Sequence, residues 1–389
     1  MACEVNGSKV GGIIEQLCDE GFDGITGALI TLLNEAMKLD RTRHIQAEPY
    51  ERNEERQGYS NGYKPKTVHS RLGKLALQIP QVRDSQEEFY PSCLEKGLRS
   101  ERALKAALAE MYVQGVSTRK VKIITEALCG YEVSSSQVSR ITRELDEQFE
   151  QWRNRPLGKI RHLIVDARYE KVRHGGHVID NAVLIAYGID DHGRKRILGV
   201  SVSLSESEVH WRDFFESLVT RGLHGLELII SDAHSGLKAA RKAVFPSVPW
   251  QRCQFHLQQN AQSYVPKQSM KKEVANDIKA IFTAPNLSEA QRLLLLTREK
   301  YKTRAPKLCE WMEANISEGF TIFSFPQAHW KKLRTSNLAE RVNKEIKRRT
   351  RIVGIFPNCD SCLRLVTALL VEMDEDWDLG RSYLSMDDN

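Results

Sequence analysis

The chain has 389 residues, 41% hydrophobic and 28% charged, which is ample for two or three domains with cores of their own. A net charge of +6 and a pI of about 8.8 bias it mildly toward anionic partners. No stretch approaches the roughly 18 apolar residues of a membrane helix, and Met1–Val10 lacks a basic-then-apolar signal pattern, so a soluble cytoplasmic protein is expected, with its eight sparse cysteines reduced.

Residues 24–40 read as an amphipathic helix. Residues 50–66 are polar, with Gly58, Gly62, Tyr59, Tyr63 and several basic side chains, and read as a loop or extended arm. Basic residues interleaved with Tyr can track a phosphate backbone and stack on bases; a flexible linker has the same composition. In 67–83, Leu75, Leu77 and Ile79 alternate and Gly73 marks a turn, which predicts a small hairpin.

The pattern then turns helical. Leu104–Val113 is one helix, ended by Gly115. Ser117 is the N-cap of a second, Thr118–Leu128, which Gly130 ends. Ser134-Ser135-Ser136 opens a third, running to about Trp152. This spacing fits a helix-turn-helix, with Gln137, Arg140 and Arg143 near the leading turns that meet base edges. An ordinary helical bundle or a dimerisation unit fits it too.

Arg153-Asn154-Arg155-Pro156 is a break, after which strands dominate. Leu163-Ile164-Val165 ends in Asp166. Val178–Tyr187 follows, then a turn at Asp190-Asp191-His192-Gly193 and a strand at Ile197–Val202. Val209–Arg221 reads as a helix, Leu226–Ile230 as a strand ending at Asp232, His234–Val244 as a helix and Val248–Cys253 as a fifth strand. Three strands in meander, then helix–strand–helix–strand, make a mixed α/β sheet. From Phe255 to about Gly319 the chain is helical, broken at Pro266, Pro285 and Pro306. The gap from Asp232 to Glu340 exceeds one crossover and predicts a helical insertion.

In Thr335–Arg349, Leu338, Val342 and Ile346 form an apolar stripe. Glu340 lies roughly 200° from it, with Asn337, Arg341 and Lys344 on its side of the helix. An amphipathic helix with an ordinary surface Glu reads the same way, and each strand-end Asp alone is a common turn residue. As a set they differ. Carboxylates held together repel unless cations bridge them, and Mg²⁺ prefers such oxygen ligands, with Mn²⁺ as a substitute. Two ions roughly 4 Å apart activate a water or 3′-hydroxyl and stabilise the leaving oxygen of a displacement at phosphorus. Cys253 and His256 have CxxH spacing, but a structural zinc site takes four ligands, so packing and DNA positioning near Asp232 is expected. The lone CxxC of Cys359 and Cys362 has no second pair.

Motifs over most of the chain resemble the Mutator-type transposases of bacterial insertion sequences. They are YERNEERQGYSNGYKPKT from Tyr50, AEMYVQGVSTRK from Ala109, SRITRELDEQFEQWRNRPL from Ser139 and LIVDARYEKVR from Leu163. IISDAHSGLKAA from Ile229, WQRCQFHLQQN from Trp250 and TSNLAERVNKEIKRRTR from Thr335 complete the set. The resemblance implies a DDE triad of Asp166, Asp232 and Glu340 holding metal on a ribonuclease-H-like fold. It also implies binding of terminal inverted repeats, hydrolysis that exposes a 3′-hydroxyl, and its transfer to target DNA without a covalent protein–DNA intermediate. Arg341, Lys344, Lys347 and Arg348 are then candidates for phosphates near the cut, with solvated charge as the alternative. Trp250 and Trp330 are candidates for stacking on an unpaired base, with a core role as the alternative.

The expected fold class is thus α/β: a ribonuclease-H-like mixed five-stranded sheet with flanking helices, preceded by an all-α helix-turn-helix region and interrupted by an α-helical insertion. The divisions fall at 1–95 (helix, basic arm and hairpin), 96–155 (helix-turn-helix), 156–265 (catalytic core), 266–328 (insertion) and 329–389 (last core helices and acidic tail). The expected partner is double-stranded DNA, both inverted repeats and target, with no membrane. Synapsis of two ends implies a homodimer or larger, cytoplasmic and nucleoid-associated. A helix-turn-helix regulator with an inert sheet, or a structure-selective nuclease on the same fold, are the competing readings.

Overall fold

The computed structural model describes residues 7–97, 99–113, 116, 118–380 and 382–385. They fall into two units, divided between Glu144 and Leu145. No helix among them is long and apolar enough to cross a membrane.

The first unit begins with α1 (Gly7–Glu20) and α2 (Ile25–Ile45), then β1 (Tyr59–Ser70) and β2 (Gly73–Arg83). The strands form an antiparallel hairpin, turned at Gly73 with φ +118°, a backbone angle that favours glycine. Met37 of α2 packs on Val68, Leu75, Leu77 and Ile79, the alternate positions that the period of two predicts. β1 starts at Tyr59, inside the stretch expected to be an arm. Its first seven residues are exposed, so no apolar alternation marks the strand, and pairing with β2 carries it. Arg56 stacks over Tyr59 at 4.8 Å and Arg41 over Tyr63 at 5.1 Å.

Then come α3 (Arg102–Val113), α4 (Thr118–Cys129) and α5 (Ser135–Arg143). Gly115 and Ser117, the expected stop and cap, lie outside the described residues. Gly130 follows α4 with φ +69°. Ser134 caps α5 in a reciprocal box: its Oγ accepts from Gln137 N at 3.2 Å and its N–H donates to Gln137 Oε1 at 2.9 Å. The helix expected to reach Trp152 is two helices. α5 ends at Arg143, and α6 (Asp146–Arg153) opens the second unit with Asp146 and Glu147 in its first turn, charges that favour a helix start. No Gly or Pro marks that break.

The second unit continues with β3 (Ile160–His174), β4 (His177–Asp190), β5 (Lys195–Ser203), α7 (Glu208–Thr220), β6 (Leu228–Ser231), α8 (Ser235–Val244) and β7 (Trp250–Arg252). The sheet order is β5-β4-β3-β6-β7. β3, β4 and β5 are antiparallel neighbours, and β6 and β7 run parallel to β3. This is the expected mixed five-stranded sheet. On one face Leu163, Val165, Leu184 and Ile229 pack with Trp211, Phe215 and Leu218 of α7 and Leu237 of α8.

A helical layer follows: α9 (Gln254–Ala261), α10 (Lys271–Phe282), α11 (Leu287–Tyr301) and α12 (Pro306–Asn315). It has its own core, including Val274, Ile278, Tyr301, Leu308 and Met312. Pro306 opens α12 at its first turn, where its missing N–H costs nothing. The chain returns to the sheet with α13 (Gln327–Leu333), α14 (Asn337–Val353) and α15 (Cys359–Asp378). The acidic segment 372–378 is the end of α15. Asp374 is buried there, accepts from Ile197 N of β5 at 2.7 Å and pairs with Arg155 at 2.8 Å.

Candidate active site

The sheet sets two carboxylates level with each other. β3 and β6 pair in parallel from His162↔Leu228 to Ile164↔Ile230, and two residues further along each chain stand Asp166 and Asp232. Asp166 is not at a strand end. It pairs with Ile185 of β4, and β3 runs on to His174. β6 stops at Ser231, so β3 outruns it and leaves Asp166 at the open carboxyl end of β6. The alternation that turns Leu163 and Val165 toward α7 turns Ile164, Asp166, Arg168 and Glu170 to the opposite face.

Asp232 is braced locally. Its Oδ1 accepts from Ala233 N at 2.7 Å, and Ser231 Oγ donates to its carbonyl at 2.7 Å. Asp166 Oδ2 accepts from Asn343 Nδ2 of α14 at 2.7 Å. Burial is the main cause that pushes the Asp166 carboxyl up to about 6. The His256 charge opposes this, and the negative charges of Asp232 and Glu206 add to it.

Glu340 arrives on α14, whose stripe of Leu338, Val342 and Ile346 is buried as expected. Cys253 Sγ pins the start of that helix, accepting from Ser336 N at 3.3 Å and Ser336 Oγ at 3.2 Å, while Cys253 N donates to Ser231 O at 2.8 Å. The latch therefore ties α14 to the residue before Asp232. Glu340 is one turn past Ser336 and three residues before Asn343, on Asn343's side of the helix. Glu340 Oε1 and Asn343 Oδ1 are both buried without a hydrogen-bond partner. Arg168 Nη1 donates to Asn343 O at 2.5 Å and pairs with Glu170, which accepts from Thr350 Oγ1 at 2.9 Å.

Among the described residues, no three His, Cys, Asp or Glu side chains close around a single metal-binding point. The chemistry of the group nonetheless suits a hard cation. Its donors are oxygens, two of them, Glu340 Oε1 and Asn343 Oδ1, are stranded, and burial holds the Asp166 carboxyl above its usual range. Among the described residues, Cys253 and His256 do not converge on a third ligand. His256 is pushed up to about 9, first by Cys253, against burial, and then by Asp232 and Asp166, so it stands as a cation beside the carboxylates.

The residues expected to contact DNA fall on α5 and α14. Gln137 is spent in the α5 capping box. With Arg140 it lines a cavity of about 730 Å³ in the first unit, together with Lys66, Arg99, Lys105 and Tyr131. Arg143 is exposed and is not part of that wall. Arg341, Lys344, Lys347 and Arg348 are exposed along α14, and Arg348 pairs with Glu345 at 2.7 Å. Both tryptophans have internal partners. Trp250 Nε1 donates to Ser231 Oγ at 2.9 Å under Lys238 at 4.8 Å, and Trp330 Nε1 donates to Phe325 O at 2.7 Å.

Asn343, Arg168 and Glu206 were not foreseen. The three-residue helical spacing applied to Glu340 selects Asn343. Alternation from Asp166 selects Arg168. Nothing periodic marks Glu206, which lies before α7 with His234 Nδ1 at 3.7 Å.

Comparison with known proteins matches residues 12–380 to a family described as "Transposase, Mutator family". The chain is 53% identical over 387 residues to the transposase for insertion sequence element IS406 of Burkholderia multivorans, covering 99% of each. It is 42% identical over 386 residues to the transposase for ISRM5 of Rhizobium meliloti, covering 99% of this chain and 96% of the relative. The transposase for IS256 in transposon Tn4001 of Staphylococcus aureus is 39% identical over 364 residues, 92% of each.

Proposed function

The chain belongs to the Mutator family of transposases, and from that premise we propose that it mobilises an insertion sequence by Mg²⁺-dependent DNA cleavage and strand transfer. It binds the terminal inverted repeats, frees a 3′-hydroxyl at the element end by hydrolysis and joins it to target DNA. The observations that carry this reading are the register of β3 and β6, which levels Asp166 with Asp232, and the Asn343–Asp166 hydrogen bond, which ties α14, the helix of Glu340, to β3. The order β5-β4-β3-β6-β7, antiparallel then parallel, supports the ribonuclease-H-like assignment.

Asp166, Asp232 and Glu340 would hold Mg²⁺, or Mn²⁺ in its place. As a pair, such ions activate the attacking oxygen and stabilise the leaving one. The protein's own part is placement. Cys253 and Ser336 fix the start of α14, Asn343 ties that helix to Asp166, and the His256 cation offsets the crowding of negative charge. The exposed basic residues of α14 approach the phosphates flanking the cut. Synapsis of two ends requires at least a homodimer, acting on DNA in the cytoplasm.

Asp166→Asn, Asp232→Asn and Glu340→Gln should each abolish strand cleavage of labelled end DNA in Mg²⁺ while leaving end binding within a few-fold of wild type. Cleavage surviving in any of the three removes that residue from the ion site. Loss of binding in all three, with cleavage of already bound DNA intact, would reassign the carboxylates to the DNA interface.

A further inference from the structure

Asn343 makes a contact that an ordinary helix-surface amide does not. Its Nδ2 donates to Asp166 Oδ2 at 2.7 Å, while its Oδ1 is buried and has no partner. Its backbone is held by Arg168, which donates to the Asn343 carbonyl at 2.5 Å. Arg168 is held by Glu170, and Glu170 by Thr350. The backbone is thus held independently of the carboxamide, whose one hydrogen bond among the described residues is to Asp166. A carboxamide has nearly the same shape after a half turn, with donor and acceptor exchanged. The second stranded oxygen, Glu340 Oε1, belongs to the residue three positions earlier on the same helix.

We propose that Asn343 is an oxygen ligand of the cation site and the group that keeps Asp166 in place until the ion arrives. This rests on the reading of Asp166 and Glu340 as ion ligands. Without an ion, the amide N–H occupies the Asp166 lone pair that a cation needs. With an ion, the amide turns over, releases Asp166 Oδ2 and offers Oδ1. Asn343 therefore sets the affinity of the site and couples its filling to the seating of α14 on β3.

The test is Mn²⁺ binding to the full-length protein, measured by the loss of the free-Mn²⁺ electron paramagnetic resonance signal, with circular dichroism as a check on folding. Asn343→Asp keeps the shape, removes the competing donor and adds charge; it should tighten Mn²⁺ binding about tenfold. Asn343→Leu keeps the bulk and removes both functions; it should weaken binding about 10–100-fold. If the leucine variant does not fold, Asn343→Asp decides alone. Asp166→Asn is the control. Wild-type affinity in Asn343→Asp, with binding lost in Asp166→Asn, would make Asn343 a structural pin and overturn this inference alone. Wild-type affinity in Asp166→Asn as well would overturn the ion-site reading beneath it.

Discussion

Asp166 and His162 stand on the same face of β3 and pull stability in different directions. With its carboxyl pushed up to about 6, ionised Asp166 costs the ion-free fold up to about 3 kcal/mol at pH 7. Asp166→Asn keeps an acceptor for Asn343 and should therefore raise stability in EDTA by an amount of that order, read by urea unfolding. Saturating Mg²⁺ should stabilise wild type and not the variant. His162 is 1% exposed, with both ring nitrogens unpartnered, and burial first, then the Arg161 charge, lowers it to about 3. Its pKa is depressed on folding, so the stability it supports is present above about pH 6.5 and is lost as pH falls toward 3, at up to about 1.4 kcal/mol per unit. His162→Phe should flatten that acid limb in unfolding measured from pH 7 to 4. At this scale Asp166 and Asp232 stood out in the sequence because each follows an apolar run, while Glu340 was singled out by its place opposite the apolar stripe of α14. The Asn343–Asp166 contact was hidden because it depends on which strand α14 meets.

At the scale of the element, α14 was the most legible: its stripe is period-four and its polar face continuous. α15 was not, because its buried Asp374 breaks the apolar pattern and reads as part of an acidic tail. β1 and the α5–α6 break escaped for related reasons. One strand has an exposed face with no alternation, and the break has no Gly or Pro. α8 depends on a close approach at Gly236, where a Cβ would meet the Glu206 carbonyl at 2.3 Å. Gly236→Ala should cost about 1–3 kcal/mol through overpacking and, by shifting the loop beside Asp232, slow cleavage; thermal unfolding and a cleavage time course check both. Asp374→Ala leaves Arg155 unpaired beside β5 and should cost about 3–5 kcal/mol in the same unfolding assay.

At the scale of the molecule, the mixed sheet was legible because three consecutive strands and two crossovers leave few topologies. The helical insertion was legible from the length of the gap it fills. The division at Glu144–Leu145 falls inside a stretch that reads as one helix, and only the packing reveals it. Each unit has a core of its own, so a fragment of residues 145–389 should unfold cooperatively and retain Mn²⁺ binding while losing tight binding to element ends. End binding by the whole chain should weaken steeply with salt if phosphate contacts dominate; a flat response in a filter-binding titration would contradict the basic surfaces named above.

The most direct measurement is cleavage of the element's own end by Asp232→Cys in Mg²⁺ and in Mn²⁺. A thiolate is a poor ligand for Mg²⁺ and a better one for softer ions. If Asp232 touches the ion, cleavage is lost in Mg²⁺ and returns in Mn²⁺, while wild type cleaves in both and not in EDTA. Wild-type rates for Asp232→Cys in Mg²⁺, or cleavage by wild type in EDTA, would contradict a metal-dependent carboxylate centre.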